Sequence, residues 1–221
     1  EVYNRTERVM KMNKINYQKE LDSLIEKFTA EQVKPRLLLH VCCAPCSSYV
    51  LEYLSKYFYI TAVFYNPNIS TDEEYKHRAE ELIRFAKEKT FENPVHVIIE
   101  DYAPKQFYDM AEGFEDAPEG GARCFKCYEL RLAKTAVMAK ENDFDYFTTT
   151  LSISPLKNSN KLNEIGRKLE EKYGVKYLFS DFKKKNGYKR SIELSKEYNL
   201  YRQNFCGCEF SKKKSNGLQH K

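Results

Sequence analysis

The sequence predicts a wound α/β fold: a Rossmann-like, mainly parallel sheet with helices on both faces and a helical extension at the N-terminus. Strand-length apolar runs alternate with segments of helical period along most of the chain, the order that winds a parallel sheet. The run RLLLHVCC at 36–43 is largely apolar, as expected of a strand buried in a parallel sheet. Bulk composition agrees. With 221 residues, 42% hydrophobic and 31% charged, and only eight Gly and seven Pro, the chain can bury one sizeable core and is neither collagen-like nor disordered throughout.

The elements follow in order. Ile15, Leu21, Leu24, Ile25 and Phe28 recur at helical spacing, so residues 14–29 form a helix lying outside the sheet. The first strand covers 36–43, and Ala44-Pro45 turns it into a helix reaching about Lys56, proline being favoured in a first helical turn. A second strand spans 58–65. Asn66-Pro67-Asn68 then turns the chain, and Ser70-Thr71-Asp72-Glu73 opens a helix to Lys89, followed by a strand at 95–100. A helical stretch at 105–114 precedes the loop EDAPEGGAR. Beyond it the pattern predicts a helix at 125–140, a strand at 145–151, a helix at 161–173, a strand at 175–179 and a last helix at 191–201. These elements group as an extension at 1–33, an α/β catalytic domain at 34–210 and a basic tail at 211–221.

Charge divides the chain unevenly. The net charge is +5, yet from Lys183 onward 11 Lys and Arg face three Glu, a balance of +8 that leaves −3 for everything before it. A basic C-terminal segment suits contact with nucleic-acid phosphates and equally suits a solubilising tail. Tyr188, Tyr198 and Tyr201 within it offer faces on which unpaired RNA bases can stack. No run approaches the roughly 18 apolar residues of a membrane span, and the charged N-terminal stretch lacks the apolar centre of a secretory signal. The expected location is cytoplasmic, with no membrane partner.

The chemistry is carried by seven cysteines in three clusters: Cys42, Cys43 and Cys46; Cys124 and Cys127; Cys206 and Cys208. An odd count without a secretory signal points away from a disulfide framework and toward metal binding or redox chemistry. Cys42 and Cys43 end the first strand, where open α/β sheets build their sites, and Cys46 falls in the next helix's first turn. Cys124 and Cys127 stand i, i+3 at the start of a predicted helix, so both sulfurs share a face near the positive dipole end. Four thiolates from these two places suit either a 4Fe-4S cluster or zinc. The strand-end location and the leftover C-x-C favour iron and sulfur. Cys206-Gly207-Cys208 could close as a tight, reducible disulfide, with Gly207 lending backbone freedom, or add a ligand to a metal centre. Cys46 is either a ligand to a second metal ion or a low-pKa thiol.

Other candidates carry less. His40 reads as a hydrogen-bonded core histidine, and His77 and His96 have no motif around them. Ser152-Ile153-Ser154-Pro155 with Lys157-Asn158-Ser159-Asn160 could hold a phosphate or form a simple capped turn. Asp181, at the end of the last strand, is a candidate acid or ligand beside the site, or a turn residue.

Taken together, H-V-C-C-A-P-C, R-C-F-K-C-Y-E-L-R-L, T-L-S-I-S-P-x-K-N and D-F-K-K-K-N-G-Y followed by E-Y-N-L-Y-R-Q-N-F-C-G-C resemble the cobalamin-independent epoxyqueuosine reductases, the QueH family. The likeness spans residues 36–210. It implies two-electron reduction of epoxyqueuosine to queuosine at the wobble position of tRNA, with the anticodon loop as partner and an unidentified electron donor. It further implies a 4Fe-4S cluster on Cys42, Cys43, Cys124 and Cys127, and a redox-active disulfide of Cys206 and Cys208. A second metal ion, iron or zinc, would sit beside the cluster in some members, and the Cys46 position can be acidic there. Two rival readings stand beside this one. A zinc-stabilised RNA-binding module without catalysis would be colourless. An ATP-pyrophosphatase type of tRNA-modifying enzyme expects a glycine-rich phosphate loop where this chain has Cys-Cys-Ala-Pro-Cys.

Overall fold

The structure is a computed structural model that describes residues 15–212. Five strands, β1 (Arg36–His40), β2 (Tyr59–Phe64), β3 (Val95–Ile99), β4 (Tyr146–Thr149) and β5 (Lys176–Tyr177), form one sheet in the order β3-β2-β1-β4-β5. Every pairing is parallel. The helices are α1 (Tyr17–Glu31), α2 (Ala44–Leu54), α3 (Asp72–Glu88), α4 (Pro104–Ala111), α5 (Ala122–Glu141), α6 (Ser159–Tyr173) and α7 (Gly187–Glu197), and a 3-10 turn at Thr150–Ile153 follows β4. This is the expected wound architecture.

Alternation along β1 shows how the faces are divided. Leu37, Leu39 and Val41 pack with Leu21, Ile25 and Phe28 of α1, Leu51 of α2 and Leu82 and Phe85 of α3. Leu38 points the other way, into a second core with Leu132 and Ala136 of α5 and Leu162, Ile165 and Leu169 of α6. A period of two therefore sends successive residues into two helical layers, which explains the uninterrupted apolar run. The extension expected outside the sheet is tied to it, since Phe28 stacks edge-on against Phe58 and Tyr146.

Several boundaries differ from the expected ones. β1 ends at His40 because the chain beyond Val41, whose amide still bonds Val63, leaves the sheet toward α2. β4 gives way to the 3-10 turn two residues before the predicted end, with Thr149 Oγ1 accepting from Leu151 N at 3.1 Å. α5 begins at Ala122 rather than Phe125, which brings Cys124 into its first turn. The last helix is shifted: Lys185 and Asn186 adopt positive φ and launch α7 at Gly187, and Asn199, also at positive φ, follows its end. Gly187 is required there, because a Cβ would stand 2.1 Å from the Phe182 carbonyl oxygen. Of the predicted basic tail, Ser211 and Lys212 are helical; its remaining residues lie outside the described ones, as do the first 14 of the N-terminal extension.

Candidate metal and thiol site

All seven cysteines line one cavity of about 500 Å³ at the carboxyl ends of the strands. Its floor is the switch point, where the chain leaves β1 toward β2 on one side and β4 toward β5 on the other. Beneath it His40 is fully buried, its Nδ1 2.8 Å from Thr149 Oγ1 and its Nε2 3.1 Å from the Tyr65 carbonyl oxygen. The carbonyl can only accept, so Nε2 carries the proton and Nδ1 accepts from Thr149. Burial holds the ring neutral, lowering its pKa to about 3. His40 is thus a hydrogen-bonded core residue that ties β1 to β4.

The first cysteine cluster sits on this floor. The sulfurs of Cys42, Cys43 and Cys46 all lie within 4.8 Å of one another, with Cys42 and Cys43 3.9 Å apart. Thr150 Oγ1 is 3.6 Å from the Cys42 sulfur. Hydrogen bonds with Cys43 and Cys46 hold Cys42 well below the ordinary thiol range, while Cys43, bonded to Cys42, is pushed up to about 12. Cys46 is driven above the usual range by the same bonds.

Cys124 and Cys127 come from the opposite wall. Neither α2 nor α5 has a side-chain N-cap: Cys43 and Gly121 occupy those positions, and Pro45 stands in the first turn of α2. Two uncapped helix starts therefore present their positive ends where the cysteines gather. Cys124 accepts from Gly120 N at 3.3 Å, and burial raises the Cys127 thiol. Buried Arg131 anchors this wall, donating from Nε to Cys127 O at 3.3 Å and from Nη1 to Asn66 Oδ1 at 3.1 Å. Asn66 in turn donates to Val41 O at 2.9 Å.

Cys206 and Cys208 arrive on an extended segment pinned to the β2–α3 loop. Ser70 N donates to Gly207 O at 2.9 Å, and Asn68 Nδ2 and Arg78 Nη1 each donate to Cys206 O at 3.3 Å. Gly207 has φ +104°, and a Cβ there would lie 2.9 Å from Ile69 Cγ1. The two thiols are inequivalent. A hydrogen bond from Cys208, opposed by burial and helped by Lys157, holds Cys206 well below the ordinary range, and the same bond raises Cys208. Cys208 packs with Cys127 among Phe107, Ala111 and Phe210.

Residues that the sequence did not single out complete the cavity. Arg78, Arg123, Arg131 and Arg202 line it, as do Asn68 and Gln203, whose side-chain oxygens are buried without a hydrogen bond among the described residues. Arg123, Arg131, Arg202 and Gln203 stand inside the quoted motifs, and for Arg78 the signal was Glu74 four residues before it, a spacing that pairs them at 2.6 Å. In the run at 152–160, the capped-turn reading holds: Asn158 Oδ1 accepts from Lys161 N at 3.0 Å to start α6. Lys157 from the same run reaches the cavity. Asp181 is not brought there. It pairs with Lys183 at 2.9 Å in a separate recess with Tyr17, Ser159 and Lys184. His77 meets the Tyr201 ring edge-on and is not among the residues that line the cavity. No helix among the described residues is long and apolar enough to cross a membrane.

Comparison with known proteins agrees with the motif pattern. The family model described as "Epoxyqueuosine reductase QueH" matches residues 37–214. The chain is 45% identical over 202 residues to epoxyqueuosine reductase QueH of Streptococcus pyogenes, covering 90% of this chain and 79% of that protein. It is 44% identical to that of Staphylococcus epidermidis, over 91% of this chain and 87% of the relative. With that of Thermotoga maritima it shares 37% identity over 79% and 89% of the two chains. A match of this extent, carried through all three cysteine clusters, places the chain in the QueH family of epoxyqueuosine reductases.

Proposed function

We propose that this chain reduces epoxyqueuosine to queuosine in tRNA, using a 4Fe-4S cluster and the Cys206–Cys208 dithiol. The observation that carries the reading is the convergence of seven cysteines from three distant clusters on one cavity at the strand ends. Cys42, Cys43, Cys124 and Cys127 are the proposed cluster ligands. The donor set fits such a group: all sulfur, largely buried, on two helix starts, with Arg131 behind it to offset negative charge. When bound, the cluster supplies one-electron steps and an iron that can polarise oxygen.

The protein's own residues do the rest. Cys206 and Cys208 hold an electron pair as a dithiol and release it on closing to a disulfide. Asn68 and Gln203 line the cavity and each has a buried side-chain oxygen without a hydrogen bond among the described residues, an acceptor suited to hydroxyl or amine groups of the modified base. Exposed Tyr188 and Leu156 at the cavity wall offer apolar faces to bases on either side of it.

A second reading draws on a specific distance. The 3.9 Å between Cys42 and Cys43 sulfurs is close to the roughly 3.8 Å edge of a tetrahedron built on Zn–S bonds of ~2.3 Å. Cys42, Cys43 and Cys46 would then hold one metal ion, iron or zinc, and Cys46 would be a ligand. Anaerobic purification with absorption spectroscopy and iron, sulfide and zinc analysis separates the two. About four iron and four sulfide per chain, followed by conversion of epoxyqueuosine-containing tRNA, supports the reductase. A colourless protein with about one zinc and no conversion overturns it.

A further inference from the structure

Five cations line the cysteine cavity: Arg78, Arg123, Arg131, Lys157 and Arg202. Four are committed to protein groups. Arg78 bonds Glu74 and the Cys206 carbonyl. Arg123 Nη1 donates to the carbonyls of Phe114, Glu115 and Ala117 at 2.9, 2.7 and 2.8 Å. Arg131 holds Cys127 O and Asn66. Arg202 Nη1 donates to Ser195 Oγ at 3.1 Å. The Lys157 amine makes no hydrogen bond or ion pair among the described residues, and its defined neighbour is the Tyr128 ring, 5.7 Å away at the centroid.

Its backbone, by contrast, is fixed. Lys157 N donates to Ser154 O at 3.1 Å, and the next residue, Asn158, caps α6. A rigid turn thus carries a single uncommitted ammonium into a cavity whose nearby sulfurs include Cys206 and Cys124. The charge it answers first is the Cys206 thiolate, which it helps to hold and which raises its own pKa. An arginine could hold that thiolate as well, whereas only an amine can also give up its proton to a developing alkoxide.

We infer that Lys157 is the proton donor to the epoxide oxygen. This assignment rests on the reductase reading. Reducing an epoxide to an alkene breaks two C–O bonds, forms a C=C bond and releases the oxygen as water, which takes two electrons and two protons. Oxidation of the Cys206–Cys208 pair to a disulfide supplies the two electrons. The two protons sit on the Lys157 ammonium, beside the Cys206 thiolate, and on the Cys208 thiol. Lys157 gives its proton to the oxygen as the first C–O bond breaks, and the Cys208 proton completes the water. The amine is left neutral and regains its proton when an external dithiol reduces the disulfide.

The test compares Lys157→Arg, Lys157→Met and Lys157→Ala in the iron-loaded protein, with an anticodon stem-loop RNA carrying epoxyqueuosine as substrate and dithiothreitol as reductant. Iron content and RNA affinity are expected to stay within about threefold of the unsubstituted protein, while kcat falls by about 10²-fold or more in all three, arginine included. Added primary amines should restore turnover to Lys157→Ala, with a rate that follows the amine's pKa. An arginine variant turning over within threefold of the unsubstituted protein overturns the assignment, because charge would then suffice. So does a loss that resides wholly in RNA affinity. Failure of the unsubstituted protein to convert the substrate would instead sink the reductase reading, and this assignment with it.

Discussion

Two cysteine-bearing regions meet in the cavity and are built differently. Cys42, Cys43, Cys46, Cys124 and Cys127 belong to the wound sheet: they stand at or beside the starts of α2 and α5, whose apolar faces fill the two cores. Cys206 and Cys208 belong to a segment beyond α7 whose backbone carbonyls accept from Asn68 and Ser70 of the β2–α3 loop and from Arg78 of α3. The first arrangement fixes sulfur positions as rigidly as the core itself, which is what a multi-iron site requires. The second is held by hydrogen bonds from neighbouring elements and by a small apolar cluster around Cys208, apart from the two cores, which suits thiols that must reach a substrate and then an external reductant. Position in the fold thus sets the proposed cluster ligands apart from the proposed redox pair.

The sharpest break in that contrast comes from single cysteine changes. Cys42→Ser or Cys124→Ser should lose most bound iron and all turnover together. Cys206→Ser and Cys208→Ser should keep the iron content and absorption of the unsubstituted protein while turnover is abolished. Iron analysis beside a conversion assay reads both. Loss of iron from either of the latter variants would make the C-x-C a ligand pair and erase the distinction.

Two of the buried arginines, Arg131 and Arg78, test the anchors rather than the sulfurs. Arg131→Met removes bonds to Cys127 O and Asn66 and should lower iron retention, at a stability cost of about 2 kcal/mol for the groups left unpaired. Arg78→Met removes the bond to Cys206 O and the pair with Glu74, at a similar cost. Its iron content should be unchanged and its turnover reduced. Thermal melts with metal analysis distinguish them; iron loss in Arg78→Met would mean that the segment and the sheet are one mechanical unit. A milder probe is Gly207→Ala, which forces a side chain into positive φ and against Ile69 for about 1–2 kcal/mol. Turnover should fall without loss of iron, and a variant as active as the unsubstituted protein would show the tight seat of the segment to be dispensable.

The same contrast explains what could be read before the structure. Elements whose identity rests on local pattern were legible: the doubly buried run of β1, the helix opened at Thr71, where Oγ1 accepts from Glu74 N at 3.2 Å, and the strand-end placement of Cys42 and Cys43. So was the grouping of cysteines, because ligand spacing is itself a local signal. Boundaries set by long-range contacts were not. α7 starts at Gly187 because that glycine packs under Phe182 and Tyr49, which no periodicity encodes. Arg78, Arg123 and Arg131 read as ordinary helical cations, since only the tertiary fold turns them toward carbonyls and sulfurs. Lys157 was visible only as part of a polar turn.

Asp181 provides the finest test, because it follows the last strand as Cys43 follows the first and yet lies in a different recess. Its carboxylate pairs with Lys183, and Lys183 Nζ also donates to Ser152 O at 3.0 Å, in the 3-10 turn beside the cavity. That pair is partly exposed, so its loss should cost no more than about 1 kcal/mol. Asp181→Asn is therefore expected to keep iron content and turnover within about twofold, checked by the same conversion assay and a thermal melt. A tenfold fall in kcat with iron intact would mean that the Lys183–Ser152 link transmits the geometry of Asp181 into the turn that carries Lys157. The reacting region would then extend past the C-x-C segment to the end of the sheet, and its separation from the scaffold would be one of degree.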